Sequence, residues 1–94
     1  MTGSFEGGIL VVEDNAENRE WLCEILGSAF PHAVLHQAAT LAQAYELSRD
    51  HIYHLMLIDI HLPDGSGIEL VRQIQSKPGK TWCVMATAYD DDDN

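Results

Sequence analysis

Basic residues are scarce in this chain: five Lys and Arg stand against 15 Asp and Glu, a formal net charge of −10 over 94 residues. Such a surface lacks the cationic patch that a phosphate backbone demands, so direct nucleic-acid binding is excluded from the expected functions. Anionic membrane surfaces are excluded on the same ground. Long apolar runs are also missing: none approaches the ~20 residues of a membrane span. Residues 1–8 have neither the basic nor the apolar stretch of a secretory signal and read as a flexible leader. The two cysteines, Cys23 and Cys83, lie far apart and outside any Cys-x-x-Cys pattern. They read as buried, reduced thiols of a cytoplasmic protein, not as a disulfide framework.

What the sequence does contain is alternation. Hydrophobic residues make up 46 % of the chain, enough for one small core and no second domain. Ile9 to Val12 is a continuous β-branched and aliphatic run, the pattern of a strand buried on both faces. Asp14 and Asn15 then offer helix caps, and Leu22, Ile25, Leu26 and Ala29 fall on one predicted stripe, with Glu17, Arg19, Glu20 and Glu24 outside it. Pro31 marks the exit, and Ala33 to Gln37 is a weaker strand. Thr40 caps a second helix with Leu41, Ala44, Tyr45 and Leu47 on its apolar side. Leu55 to Ile60 is a second strongly buried strand, followed by the loop residues Pro63, Asp64, Gly65 and Gly67. Ile68, Leu70, Val71 and Ile74 define a third helix, Lys77 to Lys80 break it, and Trp82 to Ala86 is a fourth strand. The order β-α-β-α-β-α-β predicts an α/β fold, a doubly wound parallel sheet with right-handed crossovers. Ligands of such sheets bind beyond the carboxyl ends of the strands.

Three acidic residues stand at those ends. Glu13 and Asp14 follow the first strand, and Asp59 lies near the end of the third. If those strands are neighbours, ~4.8 Å apart, the carboxylates share one pocket. Clustered carboxylates repel unless a cation offsets them, and oxygen-only ligands select hard divalent cations such as Mg²⁺. Glu13 and Asp14 alone read equally as a helix cap favouring the dipole. Asp59, inside an otherwise apolar strand, favours a pocket that handles phosphoryl groups. Thr87 ends the fourth strand on the same edge, where its hydroxyl and the Ala88 amide are placed to bind an oxyanion.

Three segments, Ile9 to Asn15, Leu57 to Gly67 and Val84 to Tyr89, resemble in sequence, order and separation the motifs of the receiver domain of two-component response regulators. The resemblance implies a flavodoxin-like sheet and phosphorylation of Asp59 by a histidine kinase or phosphotransfer protein. It implies Mg²⁺ held by Glu13, Asp14, Asp59 and the backbone carbonyl of His61, with Thr87 as the switch hydroxyl and Ala88 beside the phosphoryl group. Leu62 stands where the family more often has Met. The larger departure follows Tyr89, where the resemblance leads one to expect a fourth helix, a fifth strand bearing a catalytic Lys, and a fifth helix. The expectation is therefore a receiver over residues 9–94 lacking its C-terminal β-α unit, with strand order 2-1-3-4. The fourth strand would be an edge and Trp82 to Met85 a surface for self-association. Trp21, Leu22 and Cys23 would lose cover as well. Trp21 and Trp82 otherwise read as packing residues.

Two further readings stand beside the phosphoacceptor. One is a degenerate receiver that binds partners without being phosphorylated. The other is a metal-dependent phosphatase or hydrolase, although His61 stands where such an enzyme would want a second catalytic acid. His32, His36, His51 and His54 read as surface or loop residues. Asp90 to Asp93 lack the Gly and distal Glu of a Ca²⁺ loop and read as a solvated helix start.

Overall fold

A computed structural model describes residues 7–86. Strand β1 (Gly8–Val12) is followed by α1 (Ala16–Ala29), β2 (Val34–Ala38), α2 (Leu41–Asp50) and β3 (Leu55–Asp59). A small hairpin, β4 (His61–Leu62) and β5 (Gly65–Ser66), leads into α3 (Gly67–Gln75) and then β6 (Trp82–Ala86). The four long strands form one parallel sheet in the order β2-β1-β3-β6. This is the expected 2-1-3-4 order of a doubly wound fold, since β6 is the fourth long strand. The hairpin has no counterpart among the expected elements, because its two-residue strands are too short for a periodic signal.

The caps act as their residue types dictate. Asn15 accepts from the Asn18 N–H at 2.9 Å and Thr40 from the Gln43 N–H at 3.1 Å, each satisfying an orphan donor of the first helical turn. One face of the sheet holds the main core. Leu10, Val12, Met56 and Ile58 pack there with Ala38, Leu41, Ala44, Tyr53, Leu62 and Leu70, under α2 and α3. The apolar sides predicted for those helices hold in part: Leu41, Ala44 and Leu70 are buried, whereas Ile68 is exposed.

The opposite face is covered unevenly. The register aligns Ile9, Leu55 and Trp82 across three strands, and likewise Val11, Leu57 and Val84, so by the pleat these six share the α1 side. Helix α1 lies over β1 and β2. Ile9 is fully buried beneath it, Leu55 is half-buried, and Trp82 is 76 % exposed. An apolar hollow of about 400 Å³ opens there, lined by Phe30, His54, Leu55, Lys80 and Trp82. Two sequence expectations are corrected by this arrangement. Trp21 and Trp82 are not packing residues, being 61 % and 76 % exposed, which agrees instead with the expectation that an edge fourth strand leaves both uncovered. The predicted stripe of α1 buries none of its residues: Leu22 and Leu26 are half-covered, and Ile25 and Ala29 face outward. Among the described residues, β6 has β3 on one side and no strand on the other.

Candidate functional site at the carboxyl edge of the sheet

Strands β1 and β3 are direct neighbours, with Val12 opposite Ile58, so the residues that follow them emerge side by side. Glu13 and Asp59 are both only 3 % exposed, and Asp14 is exposed. One carboxylate oxygen from each of the three lies within 4.8 Å of the others. The structure thus brings together the three acids singled out in the sequence.

Backbone groups orient the cluster. The Asn15 N–H donates to Glu13 Oε2 at 3.1 Å, and the His61 N–H donates to Asp59 Oδ1 at 3.2 Å. Burial pushes the Glu13 carboxyl above the ordinary range, and the charges of Asp59 and Asp14 push the same way, while the Asn15 N–H pulls it down. Two buried carboxylates with a third at the rim form a strongly anionic, oxygen-only pocket. That donor set fits a hard divalent cation such as Mg²⁺, which would offset the repulsion.

Behind Asp59 the chain turns sharply. The Gly67 N–H bonds the Ile60 carbonyl at 2.7 Å, closing the β4–β5 hairpin onto β3. A Cβ on residue 67 would overlap the Asp59 carbonyl oxygen and stand 2.7 Å from Ile58 Cγ2, so only glycine lets α3 begin against the end of β3. Gly65 has φ +148°, and a Cβ there would meet Leu41 Cδ1 at 2.7 Å. Asp64, at the hairpin turn, accepts from the Leu41 N–H at 2.8 Å and the Ala42 N–H at 3.0 Å. These bonds hold its carboxyl below the usual carboxylate range and tie the segment after Asp59 to the start of α2. By sequence Asp64 is a loop residue only, since it stands more than twenty positions from Leu41 and Ala42 and leaves no local signal.

Other candidates fall elsewhere. Thr87 and Ala88 lie outside the described residues, as does the Asp90 to Asp93 run. The His61 side chain is exposed, and it is the backbone N–H of that residue that meets Asp59. Lys77 and Lys80 precede β6, at the opposite edge of the sheet. His36 is half-buried, with its Nδ1 2.6 Å from the Tyr53 hydroxyl and its ring edge-on to His51 at 4.7 Å, more ordered than a loose surface residue. Cys23 and Cys83 are free and half-buried, and burial raises both thiols. Arg19, placed by the helical pattern on the outer face of α1, instead reaches inward. Its Nη1 donates to the Glu13 carbonyl at 2.8 Å and its Nε to Gln37 Oε1 at 3.0 Å.

Comparison with known proteins gives this geometry its context. The response regulator protein PilR of Pseudomonas aeruginosa is 38 % identical over 80 residues, covering 85 % of this chain and 18 % of that protein. The DNA-binding transcriptional activator DevR/DosR of Mycobacterium tuberculosis is 29 % identical over 85 residues, 90 % of this chain and 39 % of the relative. The chain therefore spans well under half the length of these curated relatives. Among solved structures, the response regulator TrrA of Thermotoga maritima, in complex with Mg²⁺ and BeF, superposes with a TM-score of 0.78. It is 30 % identical, over 89 % of this chain and 71 % of that one. The signal receiver domain of a DNA-binding response regulator from Colwellia psychrerythraea shares the fold at TM-score 0.82 and 24 % identity, over 93 % and 72 % of the two chains. The response regulator receiver domain family matches residues 9–94, which contain every strand of the sheet but the first residue of β1, and this chain belongs to that family.

Proposed function

We propose that this chain is a phosphoacceptor of a two-component phosphorelay, taking a phosphoryl group onto Asp59 from a histidine kinase or phosphotransfer protein. The observation that carries this reading is the convergence of buried Glu13 and Asp59 with Asp14 at one sheet edge. An Asp59 oxygen attacks phosphorus, the P–N bond to the donor imidazole breaks, and its electron pair returns to the ring nitrogen. Glu13, Asp14, Asp59 and the His61 carbonyl would hold Mg²⁺, which when bound neutralises charge on the transferring group. The His61 N–H, already on Asp59 Oδ1, keeps the nucleophile aligned. Thr87 and Ala88 would bind the phosphoryl oxygens. A kinase-coupled domain of this kind works in the cytoplasm; among the described residues no helix is long and apolar enough to cross a membrane.

Titration with beryllofluoride and Mg²⁺, followed by NMR, tests the reading. Shifts at Asp59 and its neighbours that vanish in Asp59→Asn are expected; no response at millimolar Mg²⁺ would contradict it.

A second reading has its own support. The exposed Trp82 and Val84 on β6 suit a domain that associates through this side, with a second copy or another protein, and that does so without phosphorylation.

A further inference from the structure

Helix α1 begins three residues after Glu13, yet none of its 14 residues is buried. Hydrogen bonds at its start therefore bear on how the loop that carries Glu13 and Asp14 is held. The Glu13 backbone is held on both sides of its Cα. Its N–H donates to the Ala38 carbonyl of β2 at 3.0 Å, and its carbonyl accepts from Arg19 Nη1 at 2.8 Å. The same guanidinium donates through Nε to Gln37 Oε1 on β2 at 3.0 Å. One planar fork thus joins α1, the end of β1 and β2, with charge-assisted bonds stronger than neutral ones.

We propose that Arg19 is a positioning residue of the metal pocket: it holds the Glu13 backbone so that the Glu13 and Asp14 carboxylates face Asp59. This rests on the reading above that the cluster binds Mg²⁺. The sign of the effect separates positioning from charge. A cation beside an anionic pocket repels Mg²⁺, so a role through charge alone makes the pocket tighter when Arg19 is removed. A positioning role makes it weaker, by about tenfold, the lower end of what loss of an outer-shell partner costs a metal site.

Calorimetric titration of Mg²⁺ into the 94-residue chain and into R19A, R19K and Q37A, each checked for its fold by circular dichroism, decides the matter. The parent binds Mg²⁺, R19A binds it about tenfold more weakly, and R19K stays close to R19A because an ammonium cannot span both acceptors. Equal or tighter binding by R19A, or full recovery in R19K, overturns the proposal while leaving the metal reading intact. No binding by the parent overturns the metal reading, and the Arg19 proposal with it. Should R19A fail to fold, Q37A decides, since it keeps the cation and removes one arm of the fork. A drop in its Mg²⁺ affinity supports the proposal, and unchanged affinity overturns it.

Discussion

Glu13 is under electrostatic strain in the acidic cluster. Its carboxyl is buried beside two other acids, so its ionised form is disfavoured when the chain is folded. The folded state then holds more protons than the unfolded one above the ordinary Glu range, and stability falls as pH rises through that window. Above it, the full penalty remains. Glu13→Gln removes the penalty and keeps an oxygen for the Asn15 N–H. Thermal unfolding without Mg²⁺ is therefore expected to show the variant more stable than the parent at pH 7 and equal to it below pH ~4. The same variant should lose at least the roughly tenfold in Mg²⁺ affinity that an outer-shell loss costs. A less stable variant at pH 7 would contradict this account. Glu13, Asp14 and Asp59 were legible because acids at the ends of apolar strands stand out against their runs. Arg19 was not, because a charged residue on a helix looks the same whether it meets water or a strand-end carbonyl.

At the scale of elements, the hairpin after Asp59 and the start of α2 are one unit joined by Asp64. The Leu41 and Ala42 N–H bonds hold the Asp64 carboxyl low. Its contribution is present above the ordinary Asp range and is lost as pH falls through the depressed value. Asp64→Ala should speed amide hydrogen exchange at Leu41 and Ala42 at neutral pH, with the difference from the parent disappearing in acid. Unchanged exchange would show that Thr40 and packing alone hold that helix end. Strands and helices here were readable from period and caps, Asn15 and Thr40 foremost. The α1 stripe misled because apolar spacing marks which side of a helix can be covered, and not whether anything covers it. Strand β6 makes a related point. Its inward residues Cys83 and Met85 join the core, while Trp82 and Val84 face the uncovered side. Replacing Trp82 and Val84 together with Lys and Thr should abolish any concentration-dependent association seen by sedimentation velocity; association that persists would place the contact elsewhere.

Across the whole molecule, four strand-like and three helical patterns made a doubly wound parallel sheet legible, and the order of its strands came from the resemblance to receiver motifs. The hairpin, the Asp64 tie and the Arg19 fork were not legible, because each is a long-range hydrogen bond or a two-residue strand without periodicity. The net charge of −10 also has an internal division: among the described residues most acids are exposed, while Glu13 and Asp59 are buried side by side, a placement that a bound cation would stabilise. That placement is the centre of the account. Incubating the chain with phosphoramidate, a small phosphorus–nitrogen donor, and reading its intact mass tests it most directly. One phosphoryl group should be gained with Mg²⁺, none with chelator, and none in Asp59→Asn. A gain that survives chelation or the Asp59 substitution, or no gain at all with Mg²⁺, would contradict it.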